Sequence, residues 1–269
     1  MSPKSDIKTC HFGIQHYREI LETGLENGYG FIGFDGLGGL AKAARALILR
    51  HDVDYLPERC LRFGEIERDL GVRSTFFFQV GAKPYNLRAA ENRGVARALA
   101  GMGHTVGVHV DVGWKSDLQG EEIPAFCAAE KKLFTEITGI EPCAVISFHN
   151  PHRFMELILN RDIPGMRHTY EKAFFSGIKY VSDSQGWYEG CLCRILAARR
   201  YDVIQFLSHA YIWPEKSTGD FVSDMARLVH FRGRELAEYM IEFHPTCRQH
   251  ADRLRREVAK LFAEGPSEK

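Results

Sequence analysis

Apolar residues recur along the chain with two alternating spacings. Between Tyr17 and Asn27, Ile20, Leu21 and Leu25 share one helical face, and Gly28 ends the pattern. Gly30 to Asp35 then reads as a short strand and Ala46 to His51 as a buried one. Pro57 opens a helix whose apolar face is Leu61, Phe63, Ile66 and Leu70, closed by Gly71. Further strands are predicted over Ser74 to Val80, His104 to Val110, Cys143 to His149, Gly177 to Asp183 and Tyr201 to His209, and helices over Asn92 to Met102 and Ile123 to Thr138. Pro84 to Arg88 reads as loop, and the Gly-rich run GFDGLGGLAK as a turn, since it has neither phosphate-loop nor dinucleotide spacing. The alternation predicts an α/β fold with a mainly parallel sheet under helices. From about Asp220 to Phe262 the pattern is helical and increasingly charged. With no repeat and no Pro/Gly/Ser-rich linker, one domain over residues 1–269 with a helical extension at about 220–262 is expected.

Five of the apolar runs finish in side chains that bind metals or move protons: Asp52 and Asp54, His109 with Asp111, His149, Asp183, and His209. Any one of them is ordinarily a turn residue, a helix cap or a hydrogen-bonded core histidine. Parallel α/β folds, however, gather the carboxyl ends of their strands on one face and build sites there. Carboxylate oxygen with imidazole nitrogen suits a divalent transition metal, Zn above all, with Fe, Co, Ni or Mn as alternatives. Three protein ligands leave a position for a water that the metal acidifies. Extended-chain alternation puts Asp52 and Asp54 on one side, so one can bind metal while the other acts as base.

Thirty-five basic residues balance thirty-five acidic ones, so no overall field draws the protein to nucleic acid or an anionic membrane. No window approaches the roughly 20 apolar residues of a membrane span, and the first residues do not form a signal peptide, so a cytoplasmic location is expected. Seven scattered cysteines, an odd number, fit free thiols in a reducing compartment. Cys191 and Cys193 form a C-x-C pair with no second pair at zinc-ribbon spacing, so no structural zinc site is expected there.

The pieces ILRHDVDYLPERCLRFGEIERDLGVRSTFFF, GMGHTVGVHVD, AVISFHNP, GIKYVSDSQGW and IQFLSHAYIW resemble, in order, the motifs of the NodB-homology polysaccharide deacetylases. They are closest to a cytoplasmic-looking branch linked to surface-polysaccharide synthesis, and the resemblance covers about Tyr17 to Trp213. It implies a distorted (β/α) barrel, seven-stranded, and metal-assisted removal of an acetyl group from an N-acetylated sugar. It makes Asp52 the catalytic base, Asp54 the metal-binding aspartate, His109 the first metal histidine, and His209 the general acid toward the leaving amine. Asp183 and Trp187 resemble a pocket-lining element; His51, Asp111 and Asn150 are assigned with them to substrate contacts, and Trp187 as a stacking surface for sugar.

The second metal histidine of the pattern falls at Gly113, which cannot ligate; His149 is its expected replacement and Asp111 the next candidate. The arginine that supports the base in the family falls near Asn150 and is absent there, and Ala210 stands where proline is usual. A backbone N–H near Tyr85 to Leu87 is the expected oxyanion donor. The function read from these residues is metal-dependent N-deacetylation of a sugar nucleotide or glycan precursor. Two other readings remain at this stage: an inactive barrel that binds a glycan or protein, and a D-x-D glycosyltransferase.

Overall fold

The buried strand expected at Ala46 to His51 is longer than its apolar run. Strand β2 spans Arg45–Val53, and every residue after the first is buried. The computed structural model describes the chain apart from residues 1–9, 42–43, 115–119, 152–154, 159–161, 185, 188–189 and 264–269. Around β2 stand β1 (Tyr29–Ile32), β3 (Thr75–Phe78), β4 (Thr105–Val110), β5 (Val145–Phe148), β6 (Arg167–His168), β7 (Lys179–Ser182) and β8 (Val203–Ser208). Helices α1 (Ile14–Glu26), α2 (Cys60–Asp69), α3 (Ala90–Gly101), α4 (Ile123–Thr138), α5 (Met155–Ile158) and α6 (Leu192–Ala198) are interleaved with them. Helix α4 stops where the sequence places Gly139, which takes a left-handed φ of 72°.

All of these strand pairs are parallel, and seven strands follow the order β6-β5-β4-β3-β2-β8-β7 in a curled, open half-barrel. The eighth, β1, is an addition to the expected seven: it pairs with the first half of β2, Arg45 to Ile48, and β3 takes Arg50 to Val53. Because β8 pairs with Ala46 to His51, β1 and β3 share one edge of β2 and β8 holds the other. The two-residue β6 was not predicted, being too short to show a period.

One contact demonstrates the curl. Arg50 of β2 donates to Ser147 Oγ of β5 over 2.6 Å, although β3 and β4 lie between those strands in the sheet. Side chains on β2 therefore divide by parity. Ile48, Arg50 and Asp52 point into the barrel, where Ile48 packs with Phe34, Phe77, Val145 and Phe174. Leu47, Leu49 and Val53 point outward into the larger core with Tyr17, Phe63, Ile66 and Leu192. Gly107 of β4 is required by this interior, since a Cβ there would come within 2.6 Å of the Phe77 ring.

His51 shares the outward parity and is fully buried. Its Nε2 lies 2.8 Å from Glu67 of α2 and its Nδ1 2.7 Å from Ser208 Oγ. The same Glu67 carboxylate accepts from Tyr17 of α1 and Ser74, and His104 Nδ1 lies 3.3 Å away. A single buried carboxylate thus ties two helices to the outer face of the sheet. His51 is corrected from a substrate contact to a member of this structural network, because one step along a strand reverses the face.

The chain forms two compact units, Met1–Glu215 and Lys216–Lys269. The second contains α7 (Phe221–Phe243), α8 (Pro245–Gln249) and α9 (Ala251–Ala263). Asp220 caps α7, its carboxylate accepting the Ser223 N–H. Among the described residues no helix is long and apolar enough to cross a membrane.

Burial raises the Glu67 pKa, but the His51 charge, the hydrogen bond from His51 and the His104 charge together hold it below its ordinary 4.5. A depressed acid contributes stability above its unfolded pKa and loses it as pH falls. The urea midpoint of the protein is therefore expected to drop from about pH 5 to about pH 3. Glu67→Gln, less stable at neutral pH, is expected to show a flatter acid dependence, checked by urea titration across that range.

Candidate metal centre

The side chains predicted at the strand ends converge. Asp54 follows β2 directly, His109 lies near the end of β4, and His149 follows β5. Asp54 Oδ1 is 3.2 Å from His109 Nε2 and 3.0 Å from His149 Nδ1, and those two nitrogens are 3.3 Å apart. The three donor atoms lie within 4.8 Å of one another. Three lone pairs facing one point repel unless a proton or a cation stands between them, and an oxygen with two imidazole nitrogens is a set that suits a transition ion. The residues present therefore fit a divalent metal. Gln79 Nε2 donates to Asp54 Oδ1 as well, and Asn150 Nδ2 lies 2.7 Å from His149 Nε2, fixing that ring from behind. His109 Nδ1 is buried with no hydrogen-bond partner among the described residues.

Both ligand-bearing turns use left-handed backbone at non-glycine residues: Leu56, two residues after Asp54, at φ 50°, and Asn150 at φ 45°. Backbone in this region costs on the order of 1–3 kcal/mol, and such strain concentrates at functional sites.

Asp52 flanks the trio, with Oδ2 3.7 Å from His109 Nε2. Arg50, two residues earlier on the same strand and face, grips it in a fork: Nε donates to Oδ1 over 2.9 Å and an NH2 group to Oδ2 over 2.7 Å. Ser147 Oγ donates to Oδ2 over 3.0 Å. Arg50 has no exposed surface; it also reaches Gln205 and Tyr170. Burial pushes Asp52 up, but the Arg50 charge, then that of His109, pulls it below its ordinary value. The supporting arginine absent near Asn150 is thus supplied from β2 itself. Sequence analysis missed it, although an arginine inside an apolar run, two residues before an aspartate, was its signal.

His209 also flanks the trio, its Nε2 3.6 Å from Asp54 Oδ2. Asp183 holds it: Nδ1 is 2.6 Å from Asp183 Oδ1, and the His209 backbone N–H and the Trp213 indole N–H each donate to Oδ2 over 2.8 Å. Burial pushes the His209 pKa down; the Asp183 charge and hydrogen bond, joined by Asp54 and Asp52, overcome it and raise the ring to about 9. Asp54 is held well below the usual carboxylate range, burial opposing and the hydrogen bonds from His109 and His149 prevailing.

One substrate expectation is corrected by these contacts. Asp183 has no exposed surface and faces His209, not a pocket. Trp187 is half-buried and packs on Phe12, stacked at 5.0 Å, with Trp213 at 5.8 Å and Phe206 at 6.2 Å. Tyr85 and Leu87 are buried, and the Tyr85 hydroxyl accepts the Gln79 N–H and donates to the Val53 carbonyl, tying the end of β3 to β2. Asp111 does not join the trio; its carboxylate accepts the Gly113 N–H, closing a turn, and its charge helps raise the His149 pKa against burial. Missed from sequence was a tyrosine pair: Tyr55, beside Asp54, meets Tyr211 edge-to-face at 4.8 Å and is 42% exposed.

No family model matches the chain, and no curated protein does. Among solved structures it is similar to a family 4 carbohydrate esterase from Bacillus anthracis, at 11% identity and TM-score 0.40, covering 78% of this chain and 82% of that one. A family 4 carbohydrate esterase from Streptomyces lividans in complex with acetate aligns at 16% identity and TM-score 0.40, covering 69% and 85%. The chitin deacetylase from the fungal pathogen Colletotrichum lindemuthianum aligns at 16% identity and TM-score 0.38, covering 66% and 78%.

Two measurements check this geometry. Arg50→Ala leaves the Asp52 carboxylate buried and unpaired and is expected to lower the unfolding free energy by about 3–5 kcal/mol. Arg62→Ala, at a side chain 49% exposed, should cost less than about 0.5 kcal/mol. Asp54→Ala and His149→Ala are each expected to lose one equivalent of transition metal by elemental analysis.

Proposed function

We propose that the protein is a metal-dependent N-deacetylase that hydrolyses the acetamido group of a sugar nucleotide or glycan precursor, in the synthesis of a surface polysaccharide. The observation that carries this reading is the Asp54, His109 and His149 trio with a carboxylate, Asp52, and an imidazole, His209, each within 4 Å of it. That is the pairing amide hydrolysis needs, since one group must take a proton from water while another gives one to a poor leaving amine.

Asp54, His109 and His149 would hold a divalent cation, which would supply Lewis-acid chemistry at the reacting carbonyl. Asp52 is placed to take a proton from the attacking water as the water oxygen adds to the carbonyl carbon. Arg50 and Ser147 fix the carboxylate in place while it does so. His209, turned by Asp183 so that Nε2 faces Asp54, gives its proton to the nitrogen as the C–N bond breaks, releasing acetate and the free amino sugar. Tyr55 and Tyr211, beside Asp54 and His209, offer aromatic edges against which a sugar ring can pack.

A D-x-D glycosyltransferase needs both aspartates free for a cation and a nucleotide diphosphate. Here both oxygens of Asp52 accept from Arg50, and the cation partners are imidazoles, which disfavours that reading. The case for an inactive barrel rested on a missing metal histidine and a missing arginine; His149 beside Asp54 and His109, and Arg50 beside Asp52, favour the active reading.

The test is acetate release from a panel of N-acetylated nucleotide sugars by metal-loaded protein. Asp52→Asn and His209→Ala are each expected to reduce kcat by about 10²–10⁴-fold. No acetate from any member, or transfer dependent on a uridine nucleotide with Mg or Mn, overturns the reading. The pH profile gives a second check. Activity should fall on the alkaline side as His209 loses its proton, and Asp183→Asn, removing the charge that raises that pKa, should move this limb down by about 1–3 units.

A further inference from the structure

Far from the trio in composition and in ligands, a second cluster forms where the N-terminal segment meets α6. Cys10 precedes α1, His16 lies in the first turn of α1, Cys191 borders α6 and Cys193 is its second residue. One donor atom from each lies within 4.8 Å of all the others. The Cys10 and Cys193 sulfurs are 3.7 Å apart, those of Cys191 and Cys193 3.2 Å, and His16 Nε2 is 3.1 Å from Cys191 Sγ. Sulfurs at these separations touch without bonding, since a disulfide needs about 2.05 Å. A tetrahedral zinc site with Zn–S of ~2.3 Å and Zn–N of ~2.05 Å has donor separations of roughly 3.5–3.8 Å. The Cys10–Cys193 separation matches that figure, and the Cys191–Cys193 and His16–Cys191 separations are about half an ångström shorter.

The histidine carries a second, independent sign. Its other ring nitrogen, Nδ1, lies 3.0 Å from Glu19 Oε2, one turn along α1. A carboxylate on that nitrogen holds the proton at Nδ1 and leaves the Nε2 lone pair facing the sulfurs, the arrangement that orients metal-bound histidines. Cys191 and His16 are buried while Cys10 and Cys193 are half-buried, so a cation can enter and is then shielded.

We propose that Cys10, His16, Cys191 and Cys193 bind one structural zinc ion. Three thiolates and an imidazole select zinc over the harder ions, and four protein ligands leave no open position for catalysis. The C-x-C pair does have partners, beyond any spacing rule: Cys10 lies 183 residues from Cys193 and His16 175 from Cys191. The ion closes that long loop and so staples α1 to α6. It also holds Phe12, between two of the ligands, against Trp187 and Trp213, at 5.0 and 5.1 Å. Trp213 is the indole that donates to Asp183, so the zinc positions the support of His209.

The test uses the full chain carrying Asp54→Ala and His149→Ala, reduced and stripped of metal, so that failure of the deacetylase reading does not affect it. Titration with Co(II) is expected to give thiolate-to-cobalt charge-transfer absorption and tetrahedral d–d bands that saturate at one equivalent and are displaced by Zn(II). Adding Cys193→Ser should abolish or shift the bands, Cys143→Ser should not, and Glu19→Gln should weaken the affinity about 10–100-fold. Absence of the charge-transfer band in the reduced chain, or its persistence unchanged with Cys191→Ser and Cys193→Ser together, overturns the site. Should the serine variants fail to fold, the titration of the parent chain decides alone.

Discussion

A guanidinium without any contact with water must be neutralised where it stands, and Arg50 has no exposed surface. Its partner is Asp52, two residues on, gripped through both oxygens. The rest of the barrel interior is arranged around this pair: Ser147 from β5, Gln205 from β8 and Tyr170 beyond β6 all bring oxygens to the guanidinium. Because those groups come from strands separated in the sheet, the charge pair also sets how far the sheet curls. The carboxylate is thereby oriented and its pKa held down at the edge of the trio formed by Asp54, His109 and His149.

The molecule handles four buried carboxylates in the same way, each beside its own cationic or imidazole partner. Asp52 has Arg50, Asp54 has His109 and His149, Asp183 has His209, and Glu67 has His51 and His104. Strand parity keeps the first three apart from the fourth. Those three serve the interior and the strand ends, while Glu67 fastens helices to the outside of the sheet. His51 and His209 illustrate the difference, since both are buried imidazoles beside a carboxylate, yet His209 alone has a nitrogen facing the trio.

The convergence of Asp54, His109, His149 and His209 was legible because each ends an apolar run, and parallel strands must bring such ends to one face. Parity was available in the same letters but was not applied to His51, one residue before Asp52. Asp183 was misread in role, because a residue at a strand end can face inward to a neighbour as readily as outward. Arg50 was hidden by its setting: within LILRHDVD it looks like a single polar interruption, and its meaning depends on Ser147 and Tyr170, about 100 residues on. The cluster of Cys10, His16, Cys191 and Cys193 had no local signature, since its halves come from opposite ends of the barrel unit.

β2 is hydrogen-bonded along both edges, with β8 on one side and β1 followed by β3 on the other. Such a strand cannot fray or peel away by itself, and releasing it requires its neighbours to separate first. The carboxylates at its end therefore belong to the last part of the molecule to loosen, so thermal fluctuation at loops and helix ends leaves their spacing untouched.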